Sequence, residues 1–250
     1  MPKMLLDAVI TERGELIKDV FMLSVKCPEI ASEAKPGNFI QLKPQKGKTL
    51  LRRPLGIANV FDDYIVFIYR KVGKGTGELS ELQRGDMLSL LGPLGNAFNS
   101  EFKHPLLVGG GMGLSPLLFY AKEHNKNIGV LMGGRCAEEL FWEKFFAKYS
   151  NEIFIATEDG SKGEKGFNVA LLPKLLEEKQ YDGIIACGPD PMMQKAVEIA
   201  KKYDVPVEVS LERRMGCGLG ACLSCAIDTA NGRKKVCKDG SVFKGEEVFF

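Results

Sequence analysis

The spacing of apolar residues changes along this 250-residue chain, and the change constrains the fold more than any single motif. Up to about residue 100, apolar and polar residues alternate in short runs, as in Leu16–Val25, Asn38–Leu42 and Tyr64–Tyr69. Turns that contain glycine and proline, such as Pro36-Gly37, separate these runs. Alternation with a period of two and frequent turns is typical of antiparallel strands, so residues 1–100 are predicted to form a small antiparallel β-barrel.

From residue 101 to residue 210, apolar runs alternate with segments of helical periodicity. The apolar runs are Pro105–Val108, Ile128–Met132, Ile153–Ala156, Gly183–Ala186 and Val207–Ser210. The helical segments are Ser115–Glu123, Glu138–Lys148, Asn168–Glu178 and Pro191–Tyr203. This order indicates a Rossmann-like α/β domain with a doubly wound parallel sheet.

Residues 211–250 form a third, glycine- and cysteine-rich segment that is too short to build a core of its own. It contains Cys217, Cys222, Cys225 and Cys237, with the spacing C-x4-C-x2-C-x11-C. The first three cysteines have the spacing of plant-type ferredoxins, and thiolates are soft ligands that suit iron–sulfur clusters. The segment is therefore predicted to bind a 2Fe–2S cluster, which would also stabilise it.

Two other uses of these cysteines remain open at this point. A structural zinc site often has two Cys-x2-Cys pairs, and here Cys237 stands alone. A disulfide framework needs an oxidising compartment, and residues 1–20 are too rich in charge for a signal peptide. The cluster is the preferred interpretation.

The α/β part carries two signals for a nucleotide. Gly110, Gly111 and Gly113 follow an apolar strand and precede a helical segment, where glycine lets a phosphate approach backbone N–H groups. The second signal is the run from Cys187 to Pro189 at the end of a later strand, where open α/β sheets place ligands. The glycine spacing is not a full G-x-G-x-x-G, so a tight turn and a buried cysteine are the alternatives.

The β part carries features that suit an anion. Arg52 and Arg53 precede a strand, and the Gly73–Gly77 loop includes Thr76. Arginine can clamp a phosphate or stack on a flavin, and a glycine-rich loop can offer N–H groups to a pyrophosphate. A solvated surface is the alternative for both.

Composition excludes some classes of protein. A net charge of +2 argues against nucleic-acid binding, and no apolar stretch approaches the roughly 20 residues of a membrane helix. The seven cysteines suit a reducing compartment. We therefore expect a cytoplasmic enzyme.

Over nearly its whole length the chain resembles the electron-transfer subunits of type B dihydroorotate dehydrogenases, within the ferredoxin–NADP reductase superfamily. The resemblance is carried by the segments RRPLGIA, IYRKVGKGT, VGGGMGLSPLL, ACGPDPMM and LERRMGCGLGACLSC. The last segment is the most specific, because many reductases lack a cluster or carry it on a separate domain.

The resemblance implies a role for each matching position. Arg53, Pro54, Leu55 and Gly56 would line the flavin of FAD, Ile68, Tyr69 and Arg70 would contact its isoalloxazine and adenine sides, and Gly75 and Thr76 would hold its pyrophosphate. Gly110, Gly111, Gly113 and the Cys187–Pro189 turn would bind NAD, with Cys187 as the candidate catalytic residue. Cys217, Cys222, Cys225 and Cys237 would be the cluster ligands. Gly56 departs from the superfamily, which usually has serine or threonine there.

The resemblance also implies the reaction and the partner. A separate catalytic subunit would oxidise dihydroorotate with FMN, and electrons would pass through the 2Fe–2S cluster and FAD to NAD⁺, in a heterotetramer of two plus two subunits. No dihydroorotate site is recognisable in this chain itself. The alternatives are the small subunit of a ferredoxin:NADP⁺ oxidoreductase, sulfide dehydrogenase or hydrogenase diaphorase, and a zinc-stabilised binding module.

Overall fold

A computed structural model describes residues 3–99, 101–124 and 126–250, and within them it contains two seven-stranded sheets and one small hairpin. The strands of the first sheet are β1 (Met4–Ile17), β2 (Val20–Lys26), β3 (Phe39–Pro44), β4 (Arg53–Gly56), β5 (Asn59–Phe61), β6 (Tyr64–Arg70) and β7 (Met87–Leu94). They are ordered β4-β3-β7-β1-β2-β6-β5, and every pairing is antiparallel. Short helices α1 (Pro28–Ala31) and α2 (Lys74–Glu81) connect the strands.

The two edges of this sheet meet through a buried dipeptide. Only Ile57 and Ala58 separate β4 from β5, and neither is exposed. Ile57 N–H donates to Asn38 O at 3.1 Å on one side, whereas Ala58 N–H donates to Val66 O at 2.9 Å on the other. The sheet therefore curls on itself, which confirms the predicted antiparallel β-barrel.

Two details of the β part differ from the sequence prediction. The run Leu16–Val25 is not one strand, because a two-residue turn at Lys18-Asp19 pairs Ile17 with Val20 across a hairpin. Asp19 has φ of +60°, which asparagine and aspartate tolerate better than most residues. The segment Gly73–Gly77 is also not an open loop, since α2 begins within it.

The second sheet is parallel except at one edge. Its strands are β8 (Pro105–Gly110), β9 (Lys126–Gly134), β10 (Ser150–Thr157), β11 (Glu164–Lys165), β12 (Gly183–Cys187), β13 (Val207–Ser210) and, from the C-terminal segment, β16 (Val242–Lys244). The order is β11-β10-β9-β8-β12-β13-β16, and only β16 runs antiparallel to its neighbour. The predicted doubly wound parallel sheet is confirmed.

The helices of this part are α3 (Leu114–Glu123), α4 (Glu143–Phe146), α5 (Leu172–Glu178) and α6 (Asp190–Lys202). The predicted helix at Glu138–Lys148 is wrong as one unit, because a 3₁₀ turn at Ala137–Leu140 precedes the single turn of α4. The segment Asn168–Glu178 divides similarly into a 3₁₀ turn and α5, which begins beside Pro173. Proline lacks the N–H that an inner helical turn needs and is favoured in the first turn.

The C-terminal segment is tied to both larger parts. Besides β16, it contains the hairpin β14 (Ala226–Thr229) and β15 (Gly232–Lys235) and the short helix α7 (Val236–Asp239). Ser241 Oγ donates to Gly37 O of the barrel at 2.9 Å, and Val236 packs in the same buried cluster as Phe39 and Val209. The cysteine-rich segment therefore shares its core with its neighbours. None of the helices in the described part of the chain has the length and apolarity of a membrane span.

Candidate functional site

The four cysteines of the C-terminal segment lie in two pairs. Cys217 N–H donates to Cys222 Sγ at 3.4 Å, and Cys237 N–H donates to Cys225 Sγ at 3.5 Å. A cluster of two irons takes two protein ligands on each iron, whereas a structural zinc ion gathers all four ligands around one centre. The arrangement in two pairs therefore fits a 2Fe–2S cluster.

Backbone N–H groups of the loop also point at the sulfurs. Leu219 N–H donates to Cys217 Sγ at 3.3 Å, and Gly220 N–H donates to Cys237 Sγ at 3.2 Å. The loop curves in this way because Gly218 and Gly220 have φ of +70° and +83°, values that residues with a Cβ rarely adopt. Such donors stabilise thiolate charge and help to set the potential of a bound cluster.

The two pairs differ in environment. Cys225 and Cys237 are buried, and Cys222 is exposed. The hydroxyl and N–H of Ser224, followed by the N–H of Cys217, lower the pKa of Cys222 to about 6. Burial, followed by the neighbouring Cys225, raises the pKa of Cys237 to about 12. The pair of half-buried Cys217 and exposed Cys222 therefore forms the outer side of the site.

A cavity of about 560 Å³ lies where the barrel, the α/β part and the C-terminal segment meet. Eight of the sequence-predicted residues line it: Pro54, Leu55, Gly56, Ile68, Tyr69, Arg70, Thr76 and Cys187. The residues Arg213, Arg214 and Met215 also line it, and they directly precede the cluster loop. Seven of the nine predicted FAD residues are thus brought together in a cavity that borders the cluster loop.

Arg53 and Gly75 do not line this cavity but lie together at the start of α2. A Cβ at Gly75 would be 1.7 Å from Arg53 Nε, so only glycine lets the guanidinium lie against this helix end. A guanidinium beside the free N–H groups of a helix N-terminus suits a pyrophosphate. Thr76 Oγ1 accepts hydrogen bonds from the N–H groups of Val72 and Gly73, so its hydroxyl caps the helix.

The neighbouring arginine does something else. Arg52 Nη1 donates to Ser89 O at 3.0 Å and to Gln41 O at 3.4 Å, which ties β3 to β7. Burial lowers the pKa of Arg52. Of the two arginines in the sequence motif, Arg52 links strands of the barrel, whereas Arg53 lies at the start of α2.

The three predicted FAD residues of β6, Ile68, Tyr69 and Arg70, lie in different surroundings. The Tyr69 ring stacks on Phe21 with centroids 6.0 Å apart inside the barrel, and burial raises its pKa. Ile68 faces the α/β part, where Ser115 Oγ donates to its carbonyl at 3.2 Å. Arg70 Nη2 reaches Glu139 Oε1 at 3.3 Å at the cavity wall.

A second cavity of about 920 Å³ lies at the carboxyl edge of the parallel sheet. It is lined by Gly110, Gly111 and Gly113 and by Gly188 and Pro189, so the two sequence-distant nucleotide signals meet. The approach is close, because a Cβ at Gly113 would lie 2.2 Å from Cys187 O. Glycine residues next to open sheet edges are suited to a dinucleotide.

The two cavities share Arg70, Met112 and Glu212 as lining residues. They are therefore contiguous, and Cys187 lies beside their junction at the end of β12. Its thiol is 1 % exposed, and burial, followed by the charge of Glu212, raises its pKa.

Sequence reasoning did not find Met112, Glu139 or Glu212. Glu212 is exposed to solvent and lines both cavities. Desolvation, followed by the charge of Asp190, raises its pKa. Its position two residues beyond β13 is the available signal, because ligands bind outside the carboxyl ends of parallel strands.

Comparison with known proteins gives a consistent result along the chain. Residues 212–249 match the family described as the iron-sulfur cluster binding domain of dihydroorotate dehydrogenase B. The chain is 37 % identical to the dihydroorotate dehydrogenase B (NAD(+)) electron transfer subunit of Clostridium perfringens over 96 % of both chains. It is 41 % identical to the probable subunit of the same name from Methanocaldococcus jannaschii, over 86 % of this chain and 81 % of that protein.

Solved structures agree on the fold. A structure described as an NADH-dependent reduced ferredoxin-NADP oxidoreductase superposes with a TM-score of 0.87 at 32 % identity, covering 97 % of this chain and 89 % of that one. A ferredoxin NADP⁺ reductase from Neisseria gonorrhoeae with bound FAD and NADP gives a TM-score of 0.65 at 16 % identity, covering 80 % of this chain and 91 % of that one. The second likeness concerns the fold alone. The chain thus belongs to the family of dihydroorotate dehydrogenase B electron transfer subunits.

Proposed function

We propose that this chain is the electron-transfer subunit of an NAD-dependent dihydroorotate dehydrogenase of pyrimidine biosynthesis. The observation that carries the proposal is that the two cavities and the cluster loop are contiguous. The cavity for FAD shares Arg70, Met112 and Glu212 with the cavity for NAD, and it is bordered by the residues that lead into the cluster loop. When bound, the cluster supplies one-electron transfer and FAD converts between single electrons and a hydride.

Residues of this chain would bind the pyrophosphate of FAD, exclude water from the cavity and hold Arg70 between the two cavities. Arg53 and the N-terminus of α2 neutralise the pyrophosphate charge, while the apolar wall formed by Leu55 and Ile68 excludes water. Glu139 holds Arg70 at the junction, and the Arg135 side chain, followed by the charge of Arg70, lowers the pKa of Glu139. The ion pair keeps the guanidinium fixed between the two cavities.

We further propose that the partner is an FMN-containing catalytic subunit, assembled as two plus two. The exposure of Cys222 supports docking at this side, because electrons must enter near the cluster. Leu219 and Leu223 of the same loop are large apolar side chains, 44 % and 59 % exposed, which suits a protein contact. Cytoplasmic location is part of the proposal, supported by seven cysteines that are all free among the described residues.

A second candidate is the small subunit of a ferredoxin:NADP⁺ oxidoreductase. It is favoured by the 32 % identity and 0.87 TM-score to a structure of that description. The first candidate is favoured by relatives named as dihydroorotate dehydrogenase B electron transfer subunits, whose similarity extends over most of the chain.

The test is to mix the purified chain with an FMN-containing dihydroorotate dehydrogenase subunit and measure orotate and NADH together. We expect stoichiometric formation of both only when the two proteins are combined. Co-purification with a larger flavin and 4Fe–4S protein, with no orotate formed, would identify the second candidate. A colourless protein with one zinc per chain would refute both.

A further inference from the structure

Gln41 carries a fully buried side-chain amide. It lies on β3 and has no solvent exposure. Neither its Nε2 nor its Oε1 has a hydrogen-bond partner among the described residues. Burying an unpaired amide costs about 1–3 kcal/mol, so such a group in a folded protein calls for a partner.

The amide lies directly under the cluster loop. A Cβ placed on Gly218 would be 2.7 Å from Gln41 Nε2 and 2.9 Å from its Cγ, so the loop rests against this side chain. Gly218 is next to the ligand Cys217, and its φ of +70° turns the chain at this point. Only glycine at position 218 lets the loop and the amide approach so closely.

The barrel holds Gln41 in place from below. The Gln41 carbonyl accepts a hydrogen bond from Arg52, and its neighbours across the sheet are Pro54 of β4 and Leu91 of β7. Side chains two residues apart on a strand share a face. Phe39, two residues before Gln41, packs in the same buried cluster as Cys225 and Cys237. This face of β3 therefore lies against Gly218 of the cluster loop.

We propose that the Gln41 side-chain amide donates a hydrogen bond to the sulfur atoms of the bound 2Fe–2S cluster and raises its reduction potential. The inference rests on the proposed function, since it requires the cluster. Thiolate and sulfide sulfurs accept several N–H donors, and each donor stabilises the more negative, reduced state. The loop supplies backbone donors, and Gln41 adds one from the FAD-binding barrel.

The experiment compares the full-length holoprotein with its Gln41→Met variant, which keeps the volume and removes the donor. The cluster potential is measured by redox titration followed by electron paramagnetic resonance. We expect the ratio of reduced to oxidised cluster at a fixed ambient potential to fall about tenfold, which is about 59 mV for a one-electron couple. The FAD potential should not change. Gln45→Met is the matched control, because Gln45 is exposed just beyond the same strand.

An unchanged cluster potential in the Gln41→Met protein would overturn the proposal. The hydrogen-bond partner of the amide would then be a buried water. If that variant does not fold, the wild-type protein labelled with ¹⁵N at the glutamine side-chain amides gives the answer. A hyperfine coupling between the reduced cluster and an amide nitrogen is expected, and its absence would refute the proposal. A failed orotate assay with a normal cluster and a shifted Gln41→Met potential would count against the proposed function alone. A wild-type chain without the cluster would overturn both.

Discussion

Replacing Gly113 with alanine should damage the nucleotide site through the backbone. Gly113 ends the turn between β8 and α3, and the end of β12 crosses it directly. A Cβ at Gly113 would lie 2.2 Å from Cys187 O, 2.4 Å from its carbonyl carbon and 2.6 Å from Gly188 N. All three are backbone atoms, which cannot rotate away as a side chain does.

The magnitude follows from the displacement required. The distance to Cys187 O must increase from 2.2 Å to at least 3.0 Å, so the strand end and the turn must separate by about 0.8 Å or more. Overpacking of this kind costs about 1–3 kcal/mol. The two segments also form a wall of the candidate NAD cavity, so the same cost on binding weakens NADH affinity by about 5-fold to 150-fold.

The assay is NADH-dependent reduction of a dye by the holoprotein, combined with thermal unfolding. We expect the KM for NADH to rise at least 5-fold and the Tm to fall, with FAD content unchanged. The matched control is Gly14→Ala on β1, where a Cβ would meet nothing within 4 Å. If Gly113→Ala and Gly14→Ala had the same KM and Tm, the argument that the end of β12 packs tightly against Gly113 would be refuted.

Three further predictions concern the other parts of the site. Cys225→Ser should lose the cluster and abolish electron flow from the partner while dye reduction by NADH survives; loss of dye reduction with FAD still bound would contradict the order of the redox centres. Arg53→Ala should weaken FAD retention about tenfold or more on gel filtration, whereas Arg52→Ala should lower the free energy of unfolding by about 1–3 kcal/mol with FAD retained; the reverse result would refute the division of roles. Glu212 has a raised pKa, and filling the cavities desolvates it further, so its carboxyl group binds a proton more tightly with nucleotide bound. Nucleotide affinity should therefore fall as pH rises above the ordinary range of a glutamate, and Glu212→Gln should flatten this fall; equal slopes for both proteins would contradict it.

The local patterns of the sequence were sufficient for the architecture. Alternation in Tyr64–Tyr69 predicts a strand of the barrel, and the apolar runs predict the strands of the parallel sheet, because both depend on residues two to four positions apart. The pattern failed at Lys18-Asp19 and at Glu138–Lys148. A turn residue in the left-handed region interrupts the first, and the second breaks into a 3₁₀ turn and a short helix.

The candidate site was predictable from the sequence only where its residues lie close together in one segment of the chain. Gly110 to Gly113 and the cluster loop belong to this class. Glu212 and Met112 do not, because they become site residues only when the two cavities join. Their residue types carry no signal, and their roles depend on elements that are far apart in the chain.

The sequence by itself determined the order of the three parts and predicted four cysteines as the cluster ligands, since cysteine spacing and strand periodicity are properties of neighbouring residues. The tertiary structure alone decided how these parts combine. It pairs Cys217 with Cys222 and Cys225 with Cys237, adds β16 to the parallel sheet, and places Gln41 of the barrel under Gly218 of the cluster loop. The widest of these contacts joins Gln41 to Gly218, 177 positions apart, and packing of the folded chain, rather than any local pattern, brings the two together.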